Sequence, residues 1–308
     1  MFLWMLGLPG SQSSDVSALR APVPSAAAGE RSEPFLRWAG SKRRLISRLS
    51  TYWSDTHARY VEPFAGSACL FFALAPNQAL LGDINTHLIH TLEQVKTDPA
   101  AVLTGLEGMR RSKKRYYALR DVDPDSLTQA ERAARFIYLN RFCFNGLYRT
   151  NRRGAFNVPY GGKRTGHLPS KETISKCSNL LKRAELIAGD FESVLSQVRS
   201  SDFVYLDPPF SVRSRRVFNE YDAAVFSAKD LERLRGWLER LNELGTHFLV
   251  SYAASKEAVE LARDFHTRFV RVRRSIAGFA TKRVEARELL ISNRPHPGLA
   301  TWRKLKTS

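Results

Sequence analysis

The tetrapeptide Asp207-Pro208-Pro209-Phe210 follows directly on the apolar run Phe203-Val204-Tyr205-Leu206. Two prolines fix φ and remove two backbone donors, so the loop is stiff and its carbonyls are left to accept hydrogen bonds. A carboxylate, a bare carbonyl and an aromatic face then meet at one point. Such a set suits a flat ring bearing an amino group: Asp207 and the Pro208 carbonyl accept its hydrogens, Pro209 stiffens the loop, and Phe210 stacks on the ring. An acidic strand end followed by a proline turn is the plainer reading of the same string.

Two further strings carry ligand-binding chemistry. In Glu62-Pro63-Phe64-Ala65-Gly66-Ser67 a glycine between strand and helix lets a ligand approach the backbone and the helix N-terminus. The next strand ends in Gly82-Asp83-Ile84-Asn85, at the distance where an acidic side chain binds ribose hydroxyls of a nucleotide-like ligand. Asp83 capping the following helix is the alternative, and the two roles are compatible. Upstream, Pro34-Phe35-Leu36-Arg37-Trp38-Ala39-Gly40-Ser41-Lys42 sets an aromatic and a lysine beside a Gly turn, able to grip a ligand's plane and carboxylate. Its alternative is Ser41 capping a basic amphipathic helix with Trp38 in the core.

The stretch from Asn140 to His167 contains Arg141, Arg149, Arg152, Arg153, Lys163 and Arg164 and no acidic residue. Phe142, Phe144, Tyr148, Phe156 and Tyr160 are interleaved with them. Basic side chains contact phosphates, arginine reads guanine edges, and aromatics wedge or stack, so this segment is a nucleic-acid-binding candidate.

These groups need a scaffold that brings strand ends together. Short apolar strands at Arg59–Pro63, Ala79–Asp83, Ala184–Ala188, Phe203–Leu206 and His247–Ser251 alternate with helical patterns. One helix is expected from about Ala68. Another spans Ala228 to Leu244, with Leu231, Leu234, Trp237, Leu238 and Leu241 on one face. The alternation predicts an α/β fold with a doubly wound, mostly parallel sheet, and Arg268–Arg273 with Glu288–Ser292 as a closing antiparallel hairpin. The segment from Asp98 to Lys182 breaks the rhythm, opening with helices that include Thr128–Asn140, and reads as an insertion between the second and third strands. The expected organisation is a flexible leader at 1–33, a ligand-binding catalytic domain at 34–97 and 183–293, an inserted domain at 98–182, and a basic tail at 294–308.

Composition narrows the partners. Among 308 residues, 48 Lys and Arg against 30 Asp and Glu give a formal charge of +18, a field that attracts polyanions. With 43% hydrophobic residues the chain can bury a large core, which argues against disorder throughout. Cys69, Cys143 and Cys177 form neither a disulfide framework nor a metal knuckle, so a reducing cytoplasm is expected and no metal site is. No apolar run is long enough for a membrane span, and the apolar opening Met1–Leu8 lacks the basic flank of a signal peptide.

In this order, from about Pro34 to Asn293, the strings resemble the Dam-type, D12 class DNA adenine N6-methyltransferases, which use S-adenosylmethionine. Phe35–Lys42 looks like the family's N-terminal cofactor motif, Glu62–Gly66 its Gly turn and Asp83-Ile84-Asn85 its acidic cofactor motif. Asn140–Arg149 with Gly154–Gly161 resembles its target-recognition hairpin, Asp207–Phe210 its catalytic motif, and Arg273–Ile276 and Glu288–Leu290 its C-terminal strings. The resemblance implies a Rossmann-like methyltransferase fold with an inserted helical and hairpin target-recognition domain. It implies cofactor binding by Trp38, Lys42, Phe64, Gly66, Asp83 and Asp207, and catalysis at Asp207, Pro208, Pro209 and Phe210. Contact with duplex DNA then falls to Asn145, Leu147, Arg149, Arg152, Pro159 and Tyr160, with Phe144 as a wedge.

The implied reaction is methylation of a flipped adenine in a short duplex site by a monomeric, cytoplasmic bacterial or phage enzyme; restriction–modification is one setting and GATC a candidate target. Three departures stand out: Ala68 where F-x-G-x-G has its second glycine, Phe210 in place of Tyr, and Val250-Ser251-Tyr252 where relatives carry Ser-Asn. Methylation of cytosine N4 or an RNA base, and a catalytically silent DNA-binding methylase fold favoured by Ala68, are the alternatives.

Overall fold

Strand residues here are apolar in both directions, which is what a sheet covered on both faces requires. Tyr60, Phe203, Tyr205 and Leu249 enter one buried cluster, and their neighbours Val61, Val204, Leu206 and Val250 enter another. The computed structural model describes residues 30–151, 153–209, 226–275, 283–295 and 303–304. Phe210, Arg152, residues 1–29 and most of 294–308 lie outside the described residues.

The strands are β1 (Arg59–Glu62), β2 (Ala79–Asp83), β3 (Ala184–Ala188), β4 (Asp202–Leu206), β5 (His247–Ala253), β6 (His266–Ser275), β7 (Arg283–Ser292) and the short β8 (Arg303–Lys304). The helices are α1 (Ile46–Leu49), α2 (Cys69–Leu74), α3 (Thr86–Thr97), α4 (Pro99–Leu106), α5 (Lys113–Asp121), α6 (Gln129–Phe142), α7 (Lys171–Leu181), α8 (Phe191–Leu195), α9 (Ala228–Glu243) and α10 (Lys256–Leu261). The sheet order is β3-β2-β1-β4-β5-β7-β6-β8. Strands β1 to β5 pair in parallel, while β7 runs antiparallel to β5 and β6. The chain steps outward from β1 through β2 to β3, then returns to lay β4 on the other side of β1. That reversal opens a crevice at the carboxyl ends of β1 and β4, where doubly wound sheets bind ligands.

The expected strands recur within a residue or two. The closing hairpin is longer than expected, with ten-residue arms. Its sequence alternates charged and apolar residues past the point where apolar content alone marks a strand.

Helices α1 to α4, α6 and α7 cover the face bearing Tyr60, and α8, α9 and α10 cover the other. On α9 the buried Leu231, Leu234, Leu238 and Leu241 follow helical spacing, with Trp237 partly buried beside them. The segment 98–182 joins the central core through Val102, Leu106, Ala133, Ile137, Ile174 and Leu181. It also has a small cluster of its own: Tyr116, Tyr138, Leu139, Phe142, Cys143 and Val158.

Helix α6 links the two clusters, and its start is set by a capping box. The Glu131 amide donates to Thr128 Oγ1 at 3.3 Å and the Thr128 amide donates to Glu131 Oε2 at 3.0 Å. Thr128→Ala is expected to lower stability by ~1 kcal/mol, with Thr128→Ser retaining most of it, as read by denaturant unfolding.

Candidate active site

At the end of β4, Asp207 Oδ1 accepts hydrogen bonds from Lys42 Nζ at 2.6 Å and from Ser251 Oγ at 3.2 Å. With Ser251 donating to Asp207, Tyr205 OH donates to Ser251 Oγ at 2.9 Å. Burial holds the Tyr205 phenol well above its usual pKa, so it stays a donor. The lysine is 4% exposed and Asp207 21%. Burial pushes the Asp207 carboxyl up, and the Lys42 charge opposes that shift and keeps the carboxylate form accessible. Asp207 Oδ2 takes no hydrogen bond among the described residues. Ser251, one of the three departures, thus completes the support of this carboxylate.

The Gly turn after β1 is pinned from β2. Gly66 donates its amide to Asp83 Oδ2 and Asn85 donates its own to Asp83 Oδ1, both at 2.9 Å. Asp83 therefore shapes the turn as well as facing the cavity, a role that strand-end logic alone did not indicate. Gly66 sits at φ +49°, and a Cβ there would lie 2.8 Å from Trp38 Cδ1, so the indole packs where only glycine leaves room. Ala68 caps α2 with φ +50°. Its left-handed backbone explains why a glycine is usual at that position; a side chain there costs ~1–2 kcal/mol.

The Trp38–Lys42 turn is braced by the segment 98–182. Asn140, 3% exposed near the end of α6, accepts from the Arg37 amide at 2.8 Å and donates to the Arg37 carbonyl at 2.7 Å. The Ala39 amide donates to the Gly146 carbonyl at 3.2 Å. Trp38 stacks on Tyr148 with centroids 6.2 Å apart and planes at 16°. Neither Asn140 nor Tyr148 stood out as a positioning residue in the sequence, because their partners lie more than a hundred positions away.

All these elements line one cavity of about 1200 Å³, larger than a typical single-ligand pocket. It brings together Trp38, Lys42, Phe64, Gly66, Asp83, Asp207, Pro208 and Pro209. It adds Glu62, which entered sequence reasoning only as part of the Gly-turn string, and Asp190, Phe191 and Phe226, which sequence reasoning missed. The Phe64 ring lies 5.4 Å from Phe191 and 5.9 Å from Phe226, an aromatic patch on the cavity wall. Asp190 and Phe191 follow β3 after a single glycine, Gly189, so treating every strand end like β2 and β4 would have found them. Glu62 is 3% exposed and accepts from Tyr60 OH at 3.0 Å; burial drives its pKa well up, the phenol opposes this, and Asp207 and Asp83 add to it. Six carboxyl groups, from Glu62, Asp83, Asp190, Asp207, Asp230 and Glu288, share the lining with Lys42, Arg43 and Arg44, an acidic excess that favours ligands that are cationic or rich in hydrogen-bond donors.

The DNA-reading candidates form a separate group. Phe144 donates its amide to the Pro159 carbonyl at 2.9 Å, and Cys143 with Tyr160 and Thr150 with Phe156 form antiparallel bridges, making a loose hairpin. Phe144 and Leu147 are 39% and 40% exposed, and Pro159 is exposed. Asn145 turns the chain at φ +55°. Arg149 donates from Nε to Asn157 Oδ1 at 2.7 Å, an orienting partner the sequence did not mark. Tyr160 is half-buried, its ring 5.4 Å from Tyr116. None of Phe144, Asn145, Leu147, Arg149, Pro159 and Tyr160 lines the cavity, whereas Tyr148, between two of them, does.

The family model for D12 class N6 adenine-specific DNA methyltransferases matches residues 38–276. The chain belongs to this family. It is 34% identical over 269 residues to a type II methyltransferase, M1.LlaDCHI, of Lactococcus lactis subsp. cremoris, covering 84% of this chain and 95% of that protein. It is 30% identical over 285 residues to the type II methyltransferase M.MjaIII of Methanocaldococcus jannaschii, covering 85% and 99%. It is 29% identical over 273 residues to a DNA adenine methylase of Vibrio cholerae, covering 87% and 98%. Among solved structures, a precorrin 8W decarboxylase of Methanobacterium thermoautotrophicum aligns with TM-score 0.38 and 12% identity over 86% of this chain and 96% of that one, too remote to carry weight. The chain is thus an adenine-specific DNA methyltransferase with a Rossmann-like methyltransferase fold, and the family implies S-adenosylmethionine as methyl donor. No helix among the described residues is long and apolar enough to cross a membrane.

The buried carboxyl groups of this methyltransferase make its stability depend on pH. A carboxyl whose pKa rises on folding favours the folded state below its unfolded value, and that contribution is lost as pH rises toward the folded value. Glu62→Gln is therefore expected to exceed the parent in thermal stability at neutral pH, with the difference closing as pH falls below about 4.5, the ordinary Glu value. Melting curves across that range measure it.

Proposed function

We propose that the cavity holds S-adenosylmethionine together with a flipped adenine, and that the enzyme methylates adenine N6 within a short duplex site, with GATC as the candidate. The observation that carries this reading is Asp207 at the cavity wall, with Oδ1 anchored by Lys42 and Ser251. Its Oδ2 and the Pro208 carbonyl are then suited to accept the two amino hydrogens of adenine. That contact draws the N6 lone pair out of conjugation with the ring and orients it for attack. Lys42 matters here because a protonated Asp207 would lose its acceptor role.

The lining fits the methyl donor on its own terms. Carboxyl groups at Glu62, Asp83 and Asp207 favour a cation, and the aromatic patch of Phe64, Phe191 and Phe226 offers faces for a purine. The close approach of backbone at Gly66 leaves space that a side chain would fill. Trp38, Lys42, Phe64, Gly66, Asp83 and Asp207 would hold the donor, which when bound supplies an electrophilic methyl on a sulfonium. The protein's own contribution is positioning and electrostatics.

Duplex DNA is held through its phosphates by the basic segment, and the hairpin reads base edges. Arg149, steadied by Asn157 at Nε and more weakly at Nη2, presents the remaining hydrogens of its terminal nitrogens to guanine O6 and N7. Phe144 and Leu147 enter the stack as the adenine leaves it. Because Trp38 rests on Tyr148 and Arg37 on Asn140, the segment that reads DNA also shapes the cavity wall, so recognition and chemistry are mechanically joined.

Incubation with methyl-labelled S-adenosylmethionine and duplex DNA, followed by digestion to nucleosides, tests the reading. Label in N6-methyladenine supports it; label in N4-methylcytosine, or DNA binding without label, refutes it. Asp207→Ala is expected to reduce methyl transfer by roughly two to three orders of magnitude or more while DNA binding persists. Arg149→Ala should relax the target sequence, with about 1–3 kcal/mol of discrimination lost in competition between cognate and single-mismatch duplexes.

A further inference from the structure

The strip Arg110-Arg111-Ser112-Lys113-Lys114-Arg115 carries five cations in six residues, and no acidic residue occurs from Gly108 to Arg120. All five cationic residues are exposed. The backbone of the strip is held firmly: Tyr138 OH on α6 donates to the Arg110 carbonyl at 3.1 Å and accepts from the Ser112 amide at 3.3 Å. Arg111 donates to the carbonyls of Lys163 at 2.8 Å and Gly166 at 3.3 Å, and Tyr116 OH donates to the Val158 carbonyl at 2.9 Å. These bonds fasten the strip to the same segment that carries the recognition hairpin, one residue from Pro159.

Arg111 and Arg115 use part of their guanidinium groups as local braces. Arg110, Lys113 and Lys114 make no side-chain hydrogen bond or ion pair among the described residues. Elsewhere on the surface the pattern differs. On α9, Arg233 pairs with Asp190, Glu192 and Asp230, and Arg235 pairs with Glu239 and Asp264. Adjacent like charges repel, and Lys113, Lys114 and Arg115 stand in the first turn of α5, where the helix dipole disfavours cations. Beyond the braces made by Arg111 and Arg115, folding gains little from this concentration of charge, which a polyanion would neutralise.

We propose that this strip is a second docking surface for duplex DNA, binding backbone phosphates outside the target site while the hairpin holds the target itself. It rests on duplex DNA being the substrate. The surface extends the footprint along the duplex and adds phosphate contacts that carry no sequence information.

The test compares the full chain with a variant carrying Arg110→Gln, Lys113→Gln and Lys114→Gln. Equilibrium binding is measured on duplexes of about 14 and about 40 base pairs sharing one central sequence, across a series of KCl concentrations. On the long duplex the slope of log K against log salt should fall by about 2–3, and the long duplex's advantage over the short one should shrink with it. Lys113→Arg with Lys114→Arg keeps the charge and should keep the parent slope, which separates charge from any effect on folding. Equal slopes for parent and triple variant, in protein that still methylates DNA, overturn the proposal and leave the strip to an acidic protein partner. A parent chain that neither binds nor methylates DNA defeats the substrate reading instead.

Discussion

A buried ammonium held against a partly buried carboxylate organises this molecule. Lys42 and Asp207 are 165 positions apart and meet at 2.6 Å. Desolvating such a pair is costly, and apolar residues of similar volume would often serve stability as well or better. The pair sits at the carboxyl edge of the sheet, on the wall of the cavity. The lysine charge offsets the rise in the Asp207 pKa that burial alone imposes, and the Tyr205–Ser251 relay fixes the carboxylate from the other side.

The switch in strand order makes that meeting possible. Only because β4 lies beside β1 does the Pro-Pro loop face the Gly turn, and only because β2 lies on the other side of β1 does Asp83 reach the Gly66 amide. Three strand ends thus deliver Glu62, Asp83 and Asp207 to one cavity, where Asp207 and Asp83 raise the cost of ionising Glu62. The segment 98–182 supports the same wall: Tyr148 lines it, while Asn140 and Gly146 hold the backbone of Arg37 and Ala39. A wall shared between two parts of the chain restricts independent movement, and the strained Ala68 at the foot of the Gly turn belongs to the same tightly specified corner.

Much of the site was legible because its parts lie at strand ends, where local pattern and chemistry coincide. Apolar runs closing on Asp83 and Asp207 mark both the strand and a carboxylate on the cavity wall. The Gly turn, with its need for φ +49°, is likewise readable from residue type. Phe191 and Asp190 were missed although they obey the same rule, since Ala184–Ala188 carries weaker apolar character and half-exposed positions. Asn140, Asn157 and Ser251 were not legible as orienting groups. A single buried amide or hydroxyl has no periodicity, and its role exists only once a distant backbone group is brought to it.

By itself the sequence determined the alternation of strands and helices, the capped start of α6, the basic and aromatic character of the hairpin, and which carboxylates end strands. Those properties are local: hydrophobic period, turn chemistry and charge are set within a few residues. Tertiary structure alone decided that Lys42 meets Asp207, that Asp83 pins Gly66, and that Tyr148 faces the cavity while its hairpin neighbours Leu147 and Arg149 do not. It also decided that the segment 98–182 shares the sheet's core. These are long-range pairings, selected by how the whole chain buries its apolar surface while leaving few polar groups without partners, and no short window of sequence contains that balance.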